Sequence, residues 1–149
     1  MIRPYETKDR ESLVALLQLN IPEFFDASEV EDFVVYLEQD AQNYFVLEEA
    51  GRIIGSGGYN WFDGGATARI SWDIIHPDFQ GKGLGKTLTI FRINEIKKNP
   101  VVRLVVVRTS QLVFLFYQKL GFKLEKIEKD FWAKGFDLYQ LRLEIPEPA

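Results

Sequence analysis

Three glycines at alternate positions, in Gln80-Gly81-Lys82-Gly83-Leu84-Gly85-Lys86-Thr87, mark the segment of this chain best suited to chemistry. Glycines so spaced let successive backbone N–H groups turn toward one point with no Cβ in the way. Where such a loop opens a helix, unpaired N–H donors and the positive end of the helix dipole add to it. Lys82 and Lys86 add two full charges. The segment suits a phosphate group, and spacing narrows which one. A P-loop ending in Gly85-Lys86-Thr87 needs a glycine five residues before Gly85, and position 80 is Gln. A dinucleotide fingerprint begun at Gly81 and Gly83 needs its third glycine at 86, and position 86 is Lys.

Composition removes other chemistries. The chain has no cysteine, which excludes a Cys nucleophile, a thiolate metal site and a disulfide framework. His76 is the sole histidine, so a zinc site of several imidazoles is excluded as well. His76 precedes Pro77 and reads as a partly exposed turn residue. The net charge is −4, and no basic face of the kind that binds nucleic acid is evident in the chain as a whole. Lys82, Lys86, Arg92, Lys97, Lys98, Arg103 and Arg108 nevertheless cluster in the middle, which fits a small anionic ligand. The lysines beyond Arg92 read as a solvated helix face. No apolar run reaches the ~20 residues of a membrane span, and the first residues lack a signal core. A cytoplasmic protein with no membrane or nucleic-acid partner is the expectation.

The elements that must position the loop are legible in outline. The 149 residues suit one domain, 1–149. Leu13, Leu16 and Leu17 mark a helix capped at Thr7, and Phe33, Tyr36 and Leu37 mark a second, with Ser28 and Glu31 as its capping box. Tyr44–Leu47 and Arg52–Tyr59 read as a hairpin. Ala68, Ile70, Trp72 and Ile74 alternate with Arg69, Ser71 and Asp73, the period of a strand that runs into the loop. A helix follows over about 83–98, then a strand over 101–107 and a helix over 111–120. The end reads as a hairpin with Lys134-Gly135 near its turn, whose edge strands offer a surface for a homodimer. The expected fold class is α/β: a mostly antiparallel mixed sheet, one parallel β-α-β crossover, and helices on both faces.

Gln80, Gly83 and Gly85 fit the pattern Gln/Arg-x-x-Gly-x-Gly, and Ile75-His76-Pro77-Asp78-Phe79 fits its lead-in. Phe116-Tyr117-Gln118-Lys119-Leu120-Gly121-Phe122 fits a second motif. In these two segments the chain resembles the GCN5-related N-acetyltransferase (GNAT) superfamily, over about residues 44–145. Ser110 and Val113 stand where the family often has Asn and Ala. The resemblance implies acetyl-CoA as cosubstrate, direct transfer to an amine, and neither a metal nor an acyl-enzyme. It implies that the N–H groups of Gln80, Gly81, Lys82, Gly83, Leu84, Gly85 and Lys86 hold the pyrophosphate. It further implies that the backbone of Ile74 and Ile75 pairs with the pantetheine arm, with Ser110 nearby, and that Tyr117 is the general acid. A phenol near pKa 10 is protonated at neutral pH and can supply a thiolate. For the base, alternation sets Asp73 on the face of Ser71 and Ile75, next to the implied thioester site. Asp63 and Glu23 are further options. The implied acceptor pocket offers Phe24, Phe25, Asp26, Tyr59, Trp61, Phe62 and Asp63, which suits a cationic amine from a small molecule, amino acid or peptide. A non-catalytic CoA-binding module, serving as a sensor or interaction domain, is the alternative.

Overall fold

The periodic segments fold as β1 (Ile2–Pro4), α1 (Arg10–Gln18), α2 (Glu29–Gln39), β2 (Tyr44–Glu49), β3 (Arg52–Phe62) and β4 (Thr67–Ile75), followed by α3 (Leu84–Ile96), β5 (Leu104–Thr109), α4 (Phe114–Lys119), β6 (Lys123–Ala133) and β7 (Phe136–Glu144). A computed structural model describes residues 1–147. Seven strands form one sheet in the order β1-β2-β3-β4-β5-β7-β6. Only β4 and β5 pair in parallel, and α3 is their crossover. Leu13, Leu16, Leu17, Phe33 and Leu37 of α1 and α2 cover one face of the sheet, against Tyr44, Val46 and Ile74. Ile96 of α3 and Tyr117 of α4 cover the other, against Ala68, Ile70, Val105, Val107 and Leu141. This is the mixed α/β sheet that the element order predicts. No helix of the described residues is long and apolar enough to cross a membrane.

Local differences have local causes. β1 pairs with Phe45–Leu47 of β2, and no such strand is expected from the sequence. Three residues ending in proline carry little period-two signal. At α2, Ser28 makes no capping hydrogen bond with its side chain. Asp26 takes that role instead, accepting from the Ser28 N–H, while Glu29 accepts from the Asp26 N–H. Thr7 lies in a 3₁₀ turn whose capping box is Glu6 with Asp9. α4 starts at Phe114 rather than at 111, because residues 111–113 turn around Ser110.

Two features of β4 shape the site. The first is a splay. Thr67–Ile70 pair with Leu104–Val107, after which β4 continues to Ile75 and β5 to Thr109 without pairing to each other. The second is a bulge. Ser71 pairs with Gly58 and Ile74 with Ser56, so Trp72 and Asp73 together face Gly57 alone. Trp72 sits at φ 49°, a left-handed conformation that an aromatic residue rarely takes. The bulge reverses the alternation. Ile70 packs toward α3, whereas Trp72 and Ile74 pack toward α1 and α2. Ser71 donates to Asn60, which also receives the Tyr36 hydroxyl of α2, so Ser71 faces the α2 side. Asp73 faces α3. The expected sharing of one face by Asp73 and Ser71 is thereby corrected.

The Tyr44 hydroxyl holds the bulge in place. It donates to the Trp72 carbonyl at 2.7 Å and contacts the Ser56 hydroxyl at 2.9 Å. Tyr44 is almost wholly buried, and desolvation pushes its pKa well up. Tyr44→Phe leaves a buried carbonyl unpaired and is expected to cost about 1–3 kcal/mol, read as a lower urea midpoint at unchanged m-value. Burial also raises Tyr36, to about 12. Such groups bind their protons more tightly folded than unfolded. Stability is therefore fully present below pH ~10 and lost as pH climbs toward and past the raised values. Alkaline unfolding should be shallower in Tyr44→Phe than in the parent protein.

Candidate active site

The splay opens a cleft of about 980 Å³, lined by β4, β5, the glycine loop, α4, the α1–α2 connection and the β6–β7 hairpin. Gly81 (φ 76°) and Gly83 (φ 82°) take the left-handed turn that the loop requires, and Gly83 caps α3. No backbone N–H from Gln80 to Lys86 donates to another described residue. The next one, of Thr87, bonds to the Gly83 carbonyl. Seven consecutive donors are thus available where the helix dipole is positive, an arrangement that fits a pyrophosphate. The Gln80 side chain does not take part in that row. It donates to Asn20 and to the Ile75 carbonyl, bracing the loop against the connection that follows α1 and against the end of β4. Lys86 lines the cleft, while Lys82 does not and holds its ammonium 5.1 Å from the Phe79 ring.

Ile74 and Ile75 both line the cleft. The His76 N–H bonds back to Ile54 of β3. Antiparallel alternation then turns the N–H and carbonyl of Ile75 toward the open side of the splay. That edge can accept an added extended segment, as an amide-bearing arm provides. Ser110 lines the same cleft, although its hydroxyl already accepts the Leu112 N–H at 3.2 Å.

At the inner end of the splay three side chains meet. Arg92 of α3 is fully buried and grips both carboxylate oxygens of Asp73, one of them at 2.9 Å. It also donates to the carbonyls of Gly58 at 3.0 Å and Leu88 at 3.2 Å, and to the Thr89 hydroxyl. The Tyr117 hydroxyl donates to the same carboxylate, at the Oδ2 that faces Arg92 Nη2. Burial, and then the negative charge of Asp73, raise the Tyr117 pKa well above 10. Tyr117 is 2% exposed, and the Asp73 side chain 24%, so the carboxylate keeps one side open to the cleft. Gly57 makes room for the pair, since a Cβ there would lie 2.6 Å from Asp73 Oδ1 and 2.8 Å from Arg92 Nη1.

The remaining sequence candidates separate. Phe24, Phe25, Trp61 and Phe62 line the cleft, Trp61 from the α3-side core beside Tyr59, while Glu23, Asp26, Tyr59 and Asp63 do not. Tyr59 packs in the α3-side core. Asp26 is occupied at the α2 cap. His76 corrects another expectation: it is buried, contacts Arg52 at 3.0 Å, accepts the Asp78 N–H, and does not line the cleft. Arg92 is the site residue that sequence reasoning missed. Its signal was its place on the Leu88–Arg92–Ile96 stripe, where a charge in a core position calls for a partner.

Comparison with known proteins places this cleft in context. The acetyltransferase (GNAT) domain model matches residues 40–124. An uncharacterized N-acetyltransferase, ycf52, of Pyropia yezoensis is 41% identical over 61 residues, 40% of this chain. The matched stretch spans 34% of that relative's length. The ribosomal-protein-S18-alanine N-acetyltransferase of Escherichia coli superposes with a TM-score of 0.81 at 19% identity, covering 100% of this chain and 96% of its own. An aminoglycoside 6'-N-acetyltransferase complexed with coenzyme A gives 0.80 at 15% identity, over 100% and 99%. At these identities the structural likeness is one of fold.

Proposed function

Because the chain belongs to the GNAT acetyltransferase family, we propose that it transfers an acetyl group from acetyl-CoA directly to a primary amine. The observation that carries this reading is a single cleft, lined by Gln80, Gly81 and Gly83–Lys86 of the loop with its free N–H groups, that also reaches the Asp73–Tyr117 pair. Acetyl-CoA supplies an activated thioester carbonyl and a thiolate leaving group. The loop N–H groups and Lys86 hold its pyrophosphate, and the open edge of Ile75 holds the amide arm.

One proton must leave the attacking amine, and one must reach the departing sulfur. Asp73 and Tyr117 form a hydrogen-bonded relay between those two points. Asp73, open to the cleft, accepts from the amine. Tyr117 gives its hydroxyl proton to sulfur and recovers one from Asp73, so the phenolate does not persist beside a carboxylate. Arg92 fixes the carboxylate and balances its charge throughout. Phe24, Phe25, Phe62 and Trp72 form an aromatic wall against which the amine end can lie.

The test is free thiol release from acetyl-CoA across an amine panel, alongside the thermal shift that acetyl-CoA produces. Turnover with at least one amine is the expected result. A thermal shift with no turnover on any amine would favour the non-catalytic module. Gly83→Asp sets a carboxylate at the phosphate loop in a left-handed conformation. We expect it to weaken acetyl-CoA binding at least tenfold by calorimetry, and an unchanged affinity would remove the loop from the site.

A further inference from the structure

Two arginines in the cleft have no use in the reaction just described. Arg69 of β4 pairs in register with Val106 of β5, and Arg108 lies two residues further along β5. Parallel register therefore puts both side chains on one face of the sheet, at the mouth of the splay. Both line the cleft. Neither forms a salt bridge or donates a hydrogen bond to any described residue, in contrast to Arg3, Arg10, Arg92, Arg103 and Arg142. The Nε of Arg108 is buried with no hydrogen-bond partner among the described residues. Two like charges side by side, one with an orphaned donor, are costly unless something anionic completes them. Burial, and then the charge of Arg108, lower the Arg69 pKa accordingly.

Aromatic rings hold both groups in place. The Arg69 guanidinium lies 4.3 Å from the Phe62 ring centroid. That of Arg108 lies 4.9 Å from Phe131 and 5.7 Å from Trp132. Stacking occupies the flat face of a guanidinium and leaves its in-plane N–H donors free to bind a carboxylate as a fork. Trp132 and its hairpin are themselves anchored. Trp132 donates to the Thr109 carbonyl at 3.0 Å, and Gln111 bridges to Gly135 and Asp137 across the β6–β7 hairpin. The carboxylates that line the cleft, Glu29, Asp40 and Asp73, pair with neither arginine.

We propose that Arg69 and Arg108 are the anion subsite of the acceptor pocket, and that the acceptor is a small amine bearing a carboxylate, such as an amino acid. The amine end reaches through the splay between β4 and β5 toward Asp73, which faces α3, and the carboxylate end is held on the other face where β4 and β5 still pair. This inference rests on the acetyltransferase reading for its chemistry, and its test separates the two.

Two measurements serve. The first is thiol release with free amino acids against the same amino acids as carboxamides. The second is calorimetry with N-acetyl amino acids against their amides, in the presence of CoA, which needs no turnover. The parent protein should prefer the carboxylate tenfold to a hundredfold in both, the effect of a charge-assisted pair. Arg108→Gln and Arg69→Gln should each cut that preference about tenfold at a melting temperature near the parent's, and Arg108→Lys should keep part of it. Preference in calorimetry with no thiol release would sink the acetyltransferase reading and leave the subsite standing. Equal handling of carboxylate and carboxamide, or a preference untouched in both Gln variants, would overturn the subsite.

Discussion

Tyr117→Phe is expected to lower kcat by about a hundredfold to ten-thousandfold, the range over which a positioned acid or base acts. The substitution removes one oxygen from a side chain that is 2% exposed and leaves the ring in its edge-to-face contacts with Phe116 and Phe122. KM for acetyl-CoA should change little, because the loop N–H groups proposed to hold the pyrophosphate lie in a separate segment. The pH profile gives a second reading. Burial and the Asp73 charge hold the Tyr117 pKa well above 10, so the phenol keeps its proton through the neutral and mildly alkaline range. In the parent enzyme no fall in kcat from Tyr117 should appear below pH 10. A Phe variant that retained more than half of the parent kcat would show that the proton reaches sulfur by another route.

The second large effect concerns the buried pair. Asp73→Asn strips the counter-charge from Arg92, a guanidinium with no exposure, and should cost about 3–5 kcal/mol. For a domain of this length each kcal/mol corresponds to about 2–4 °C in Tm. The remaining bonds from Arg92 to Gly58, Leu88 and Thr89 satisfy donors and do not neutralise the charge. The double change Asp73→Leu with Arg92→Leu should recover much of the stability, since apolar replacement of both partners is often neutral or better. It should recover none of the activity, because the relay needs the carboxylate. Calorimetric melting of both variants beside the parent, with thiol release measured on each, separates the two roles proposed for Asp73. Equal stability of Asp73→Asn and the parent would mean that solvent, not Asp73, compensates Arg92.

Much of this site is legible in one dimension. The loop at Gln80–Lys86 is largely local: alternate glycines, two lysines and a following helix set its turn, and Gln80 then ties it to Asn20. Tyr117 and the turn at Gly121 are likewise carried by one short segment. The α/β class follows from the order of periodic stretches, and so does the single parallel crossover through α3. Asp73 could be named from its place at the end of a strand that feeds the loop.

Its surroundings could not be read the same way, because each depends on a contact between segments far apart in sequence. Strict alternation sets Asp73 on the face of Ser71, whereas the bulge at Trp72 separates them. That bulge exists because Gly57 leaves room across the strand and Tyr44 supplies a hydroxyl to the freed carbonyl. Arg92 reads as one cation among seven in the middle of the chain, and becomes the counter-ion of Asp73 only when α3 packs on β4. Arg69 and Arg108 are far apart in sequence and become neighbours only through the β4–β5 register. Fold class, the glycine loop with the helix it opens, and the segment that carries Tyr117 can be read from one dimension, since backbone conformation and helix termini are set by nearby residues. Only the tertiary structure decided the charge environment around them, since burial and pairing of charges are properties of packed surfaces and not of segments.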